Sequence, residues 1–165
     1  WNAKMFNDIL ENENDHLPAV IALIQQLGGA PRPKPTFRGL LQPSLRAFGS
    51  VSQIFENTGS GANVGAAPFI FSRQVLTAAG SIGFIEARHG GWLNTLFNDV
   101  ISVNVFDEDV SFERGLTQEE AFAVISPFIQ DFAGAQPPAF TATPSRRNDL
   151  AILDFVLVVE YLENE

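Results

Sequence analysis

Both histidines of this 165-residue chain stand three residues after a glutamate: Glu13-x-x-His16 and Glu86-x-x-His89. On an α-helix, positions i and i+3 share a face, so each pair offers a carboxylate and an imidazole side by side. Both pairs fall on apolar stripes. Ile9, Glu13, His16, Val20 and Leu27 align on one, and Ile82, Glu86, His89, Leu93 and Leu96 on the other. An unpaired charge on a core-facing stripe is costly, whereas a carboxylate that a cation neutralises is not. The spacing therefore favours long helices that turn their acids inward onto metal.

Periodicity places five helical segments. The first runs from about Ala3 to Leu27 and stops at Gly28-Gly29. Prolines at 31, 33 and 35 keep the next stretch extended. The second begins near Ser44 and runs towards Ala67, with Leu45, Ser52 and Glu56 in register. Gly59, Gly61 and Gly65 make its second half a poor helix former, and local propensity predicts a break near Gly59. A third helix spans about Arg73 to Asn98. A loop from Asp99 to Gly115 leads to a short helix, opened by Thr117 with Glu120 as a capping box and interrupted by Pro127. The segment Ala135 to Pro144 reads as an extended linker. A last helix from Asn148 or Asp149 places Leu153, Val156, Leu157 and Glu160 on one face. No strand pattern stands out, so the chain reads as all-α.

Two further acids complete a ligand set. Glu56 follows Ile54-Phe55 and Glu160 follows Val158-Val159, each a single acid in an apolar run. A carboxylate-bridged di-metal bundle takes one glutamate from each of two helices and a Glu-x-x-His from each of the other two. The expected metal ligands are thus Glu13, His16, Glu56, Glu86, His89 and Glu160. Such a donor set suits two iron or manganese ions, and zinc also accepts it. Glu163 and Glu165 read as solvated acids at a helix end, with Glu163 as a substitute for Glu160. Tyr161 reads as a packing residue.

Composition bounds the partners. A net charge of −9 disfavours nucleic acid and anionic membrane surfaces. The absence of cysteine removes thiolate sites and disulfides. No apolar run reaches the roughly 20 residues that span a bilayer. The chain starts at Trp1 without a signal peptide and ends in mid-pattern, as a processed or partial chain would.

The stretch "GSGANVGAAPFIFSRQVLTAAGSIGFIEARHGGWLNTL" resembles the third and fourth helices of the ferritin-like domain of plant desiccation-related proteins and fungal secreted or stress-linked proteins. "ENENDHLPAVIALIQQLGG" resembles that domain's second helix, "LTQEEAFAVISPFI" the segment after its bundle, and "NDLAILDFVLVVEYLENE" its first helix. The resemblance implies a single domain over residues 1–165, a four-helix bundle with an additional short helix and an extended tail. Residues 1–98 hold family helices two to four, 99–145 the tail and 146–165 the first helix, so the order is permuted. Carried over by position, the family's ligands fall on the same six residues. A helix displaced to the chain's end fits a circular permutant, a unit completed by exchange with a neighbour, or pieces joined out of order. If one chain closes the bundle, Glu165 and Trp1 should be close.

Two function classes follow. One is a stress-related, oxidoreductase-like di-iron or di-manganese protein. The other is a structural or fibre-forming protein that self-associates by helix swapping, with a vestigial or purely structural metal site. The resemblance implies an extracellular or cell-wall location.

Overall fold

Four of the five helices open on a hydroxyl side chain that accepts a hydrogen bond from a backbone N–H of the first turn, which fixes where each begins. The computed structural model describes residues 3–165. Helix α1 spans Ala3–Gln26, α2 Leu45–Ala66, α3 Arg73–Leu96, α4 Gln118–Ile125 and α5 Arg146–Glu163. The caps are Ser44, Ser72, Thr117 and Ser145, and Thr117 with Glu120 forms a full capping box. Because Ser145 caps α5, that helix starts two to three residues before the expected Asn148 or Asp149. The third helix ends at Leu96, short of the expected Asn98.

The chain folds as an all-α helical bundle in which α5 is the most enclosed element. Apart from Asp154, every residue from Ala151 to Leu162 is buried. A helix that is apolar on all sides needs neighbours on all sides. Helices α1 and α2 pack against it, and the rings of Phe122 in α4 and Phe140 in the tail pack on Phe155. Helices α1 and α5 run antiparallel. At one end Arg146 donates to the carbonyl of Leu27 at 2.8 Å, and towards the other Asn164 donates to Asn14 at 2.9 Å. Trp1, expected near Glu165, lies outside the described residues.

Buried polar side chains tie the helix ends together. Asp149 accepts from the backbone N–H groups of Phe71 and Ser72, at 2.7 and 2.9 Å, and so ties the start of α3 to α5. Arg32 reaches Asp154 at 3.2 Å and the carbonyl of Ala135 at 2.7 Å, which fastens the proline-rich connector and the tail to α5. The hydroxyl of Tyr161 donates to the carbonyl of Arg32 at 3.4 Å, so this residue packs as expected.

Two expectations fail. Among the described residues there is a small antiparallel sheet, β1 (Thr36–Phe37) with β2 (Ile129–Asp131). It is too short to leave a pattern in the sequence; it forms because the connector after α1 and the turn after α4 meet.

The second correction concerns α2, which continues through Gly59, Gly61 and Gly65 without a break. These glycines are occupied space. The loop from α3 to α4 crosses α2 here, and the backbone N–H of Leu116 donates to the carbonyl of Gly61 at 2.8 Å. A Cβ at Gly65 would lie 1.8 Å from the carbonyl oxygen of Leu116, and one at Gly59 would lie 2.6 Å from a carboxylate oxygen of Glu163. Tertiary packing overrides the poor helix propensity. Gly65→Ala should therefore destabilise the protein by about 1–3 kcal/mol through overpacking, even though alanine is the better helix former by ~1 kcal/mol. Urea unfolding of the variant measures the sign.

Candidate metal centre

Each of four helices turns acid into the middle of the bundle. Glu13 comes from α1, Glu56 from α2, Glu86 from α3 and Glu160 from α5; none is more than 3% exposed. His16 and His89 come from the same turns as Glu13 and Glu86, with 11% and 8% of their side chains exposed. The six residues expected from the sequence thus meet in one place, and Glu160 arrives from the chain's own α5.

The contacts divide into two halves. His89 Nδ1 lies 3.0 Å from Glu56 and 3.1 Å from Glu13 Oε1. His16 Nδ1 lies 3.1 Å from Glu13 Oε2, 3.0 Å from Glu86 and 3.6 Å from Glu160. Glu13 therefore spans the two imidazoles, one oxygen towards each. Taken as donor sets, Glu13, Glu56, Glu86 and His89 form one group and Glu13, His16, Glu86 and Glu160 the other, with ligand atoms within 4.8 Å of one another in each. Glu13 and Glu86 belong to both.

Protons alone serve this arrangement poorly. One imidazole N–H cannot satisfy three carboxylates, nor another two. Glu13 Oε1, both oxygens of Glu86 and Glu160 Oε2 are buried without a hydrogen bond. On its far side His89 Nε2 meets Asn12 Oδ1 at 3.0 Å. With that amide oxygen as acceptor Nε2 donates, so an ion at the centre would displace the proton on Nδ1 and meet its lone pair. That leaves the tautomer a metal ligand needs, fixed by an outer hydrogen bond. Two cations between the shared carboxylates would satisfy every one of these orphaned atoms, and the donor set fits them.

The ionisation of the acids follows from burial. Desolvation pushes Glu56 and Glu160 up to about 8. Burial, reinforced by the charge of Glu56, raises Glu86 well above the usual carboxylate range. Glu13 is the exception. Burial would raise it too, but hydrogen bonds from His16 and His89 hold it below its ordinary value. Burial works against the charged form of His16, yet Glu13, Glu160 and Glu86 push it up to about 12. Without metal, the centre is held near neutrality by protons on acids that would otherwise be ionised.

Glu163 corrects the sequence reading. It is no solvated acid: both its carboxylate oxygens are buried and unpartnered. Burial first, then the charges of Glu86 and Glu160, raise it well above the ordinary range. Gly59 leaves the space its carboxylate fills. The available signal was the spacing, since Glu160-x-x-Glu163 repeats the i, i+3 geometry of the other two pairs. Asn12 carried no signal of its own, because its role depends on a helix 77 positions away.

Behind the centre a buried amide network holds α2 against α3. Asn94 Oδ1 accepts from Gln53 at 2.9 Å and from Asn57 at 3.0 Å, while its own amide donates to the carbonyl of Val103 at 2.7 Å. Gly90 lets the helices approach there, since a Cβ would lie 2.4 Å from Asn57 Oδ1.

Comparison with known proteins agrees with this geometry. No curated protein and no solved structure matches the chain. The model of the ferritin-like domain matches residues 1–99, which carry α1, α2 and α3 and five of the six central residues. The chain belongs to the ferritin-like domain family.

Proposed function

We propose that this chain is a di-metal carboxylate protein holding iron or manganese, with a redox role of the kind expected for the desiccation- and stress-related branch of the family and a place outside the cell. One observation carries the reading. Two four-donor groups, each with one imidazole, share Glu13 and Glu86 in a buried centre. Glu56 and His89 would hold one ion, Glu160 and His16 the other, and Glu13 and Glu86 would bridge them. Oxygen-rich donors with one imidazole per ion favour iron or manganese over softer metals. A pair of such ions supplies electrons and Lewis acidity for chemistry on oxygen or peroxide.

The chain's own residues do the rest. The packed helices exclude bulk water from the carboxylates, Asn12 orients His89, and the protons on Glu56, Glu86 and Glu160 are those that metal must displace. The subfamily assignment rests on the "AAGSIGFIEARH" string of α3, which carries Glu86 and His89. The cluster is complete without a helix from a neighbouring chain, so the reading needs no helix exchange.

Elemental analysis after anaerobic loading with iron(II) or manganese(II) is the direct test. Two ions per chain are expected, and a protein that retains none sinks the proposal. His89→Ala should lower the metal content towards one ion and reduce the melting temperature of the loaded protein, since a ligand that binds only the native state stabilises it. Asn12→Leu keeps every ligand but loses the bond that orients His89. It should weaken binding of one ion by about 10- to 100-fold, measured by competition with a chelator.

The pH dependence has a definite sign. In the unfolded chain Glu56 and Glu160 ionise near 4.5, whereas in the fold they keep protons up to about 8. Their contribution to stability is present at low pH and is lost as pH rises from 4.5 through 8. His16 acts in the same direction between 6.5 and about 12. Chelator-treated protein should thus melt at a lower temperature at pH 8 than at pH 5.5. Metal affinity should rise across the same interval, because binding releases those protons. Scanning calorimetry on stripped and loaded protein reads both trends, and a stripped protein that grows more stable towards pH 8 contradicts the assignment of buried, protonated acids.

A further inference from the structure

A cavity of about 290 Å³ lies between the first halves of α1 and α2 and the end of α5. Its walls are mainly apolar, with Phe6, Ile9, Phe48, Val51 and Leu162 among them, while Asn7, Ser52 and Glu165 add polar groups. Leu10 and Phe48, 46% and 42% exposed, put its mouth at the surface. The lining also includes two acids whose carboxylates are buried, Glu56 and Glu163. Glu56 belongs to the His89 half of the centre. The cavity thus shares its lining between surface residues and a member of the metal cluster.

Three features define what fits. The volume is at the small end of ligand pockets. The walls reward an apolar body. The two acids offer carboxylate oxygens, and both oxygens of Glu163 are buried with no partner in the protein. The complementary group is therefore a hydrogen-bond donor. A carboxylate head would add a charge to a buried cluster that already holds five carboxyl groups, and an ammonium head would be opposed by ions bound at Glu56. A hydroxyl carries no charge and donates to an oxygen acceptor.

We propose that this cavity is the organic-substrate pocket of the centre, and that it takes a small, mainly apolar alcohol or phenol whose hydroxyl is received by Glu163 beside Glu56. The role of the occupant as substrate rests on the di-metal reading; binding itself does not. Glu163 is a binding residue: Gly59 leaves the space its carboxylate fills, and neither oxygen has a protein partner.

Isothermal titration of the chelator-stripped full chain with 4-ethylphenol, ethylbenzene and 4-ethylbenzoate tests the pocket apart from the metal. Saturable one-to-one binding of 4-ethylphenol is expected, at least fivefold tighter than ethylbenzene, with no binding of the benzoate. Val51→Trp, which fills the cavity, should weaken 4-ethylphenol at least tenfold; should that variant fail to fold, Ser52→Leu narrows the same wall. Glu163→Leu should remove the preference for the phenol over the hydrocarbon, and Glu163→Gln should keep it. Absence of saturable phenol binding, or binding unchanged in a folded cavity-filling variant, overturns the proposal. Equal affinity for phenol and ethylbenzene in the native protein overturns the role of Glu163. Repeating the titration after iron(II) loading separates the two readings: a protein that binds the phenol but no metal keeps the pocket and loses the di-metal function, and the reverse result keeps the function and loses the pocket.

Discussion

Five carboxylates and two imidazoles in the middle of a helical bundle are the constraint around which the rest of this molecule is arranged. Ionised acids do not stay in a dry core without compensation, and here the imidazoles are too few. Protons fill the deficit in the free protein, which is why Glu56, Glu86, Glu160 and Glu163 are all held above their ordinary range while Glu13, flanked by both histidines, is not. The same acids are the groups a cation would use. Protons and metal therefore compete for one set of oxygens, and the fold keeps those oxygens together in either state. It does so with contacts that do not ionise near neutrality: the Asn57–Asn94–Gln53 amides behind α2 and α3, and the paired ends of α1 and α5.

The helical scaffold was legible because apolar periodicity and hydroxyl caps act locally. Ser44 and Thr117 mark helix starts that the fold keeps, and Gly28, with φ +72°, ends α1 where the double glycine indicates. What was not legible is what the chain does to itself at a distance. The glycines of α2 look like a break because propensity counts only neighbours in sequence. The reason for Gly61 and Gly65 is Leu116, more than 50 positions on, and the reason for Gly59 is Glu163. The strand pair is hidden for the same reason, since Thr36 and Asp131 meet only after the tail has folded back.

The six central residues were legible from two local signs: a three-residue interval between acid and imidazole, and lone acids inside apolar runs. Both signs report that a polar group is on a buried stripe, which is a property of one helix. Glu163 gave neither in full, since its three-residue interval is to another acid, Glu160. It stands between Leu162 and Asn164 at a helix end, where an acid is ordinarily wet, and the space at Gly59 is what lets its carboxylate turn inward. Asn12 gave neither, because orienting His89 is a relation between α1 and α3. A sequence reading finds ligands more readily than the groups that aim them.

The position of α5 gives this centre its particular dependence. Helices α1, α2 and α3 lie in one continuous stretch, matched by the family model, and carry Glu13, His16, Glu56, Glu86 and His89. Glu160 and Glu163 come from a helix that follows a 49-residue excursion through the crossing loop, α4 and the tail. Yet α5 is also the element most deeply enclosed, so the chain cannot bury its core without delivering those two acids. Coupling runs both ways. Packing Phe155, Leu157 and Leu162 supplies the apolar contacts that hold α5 in place, and the same placement forces Glu160 against His16. Completion of the ligand set and completion of the core are thus one event, and an ion that bridges α5 to α1 and α3 strengthens the contact on which closure of the whole bundle depends.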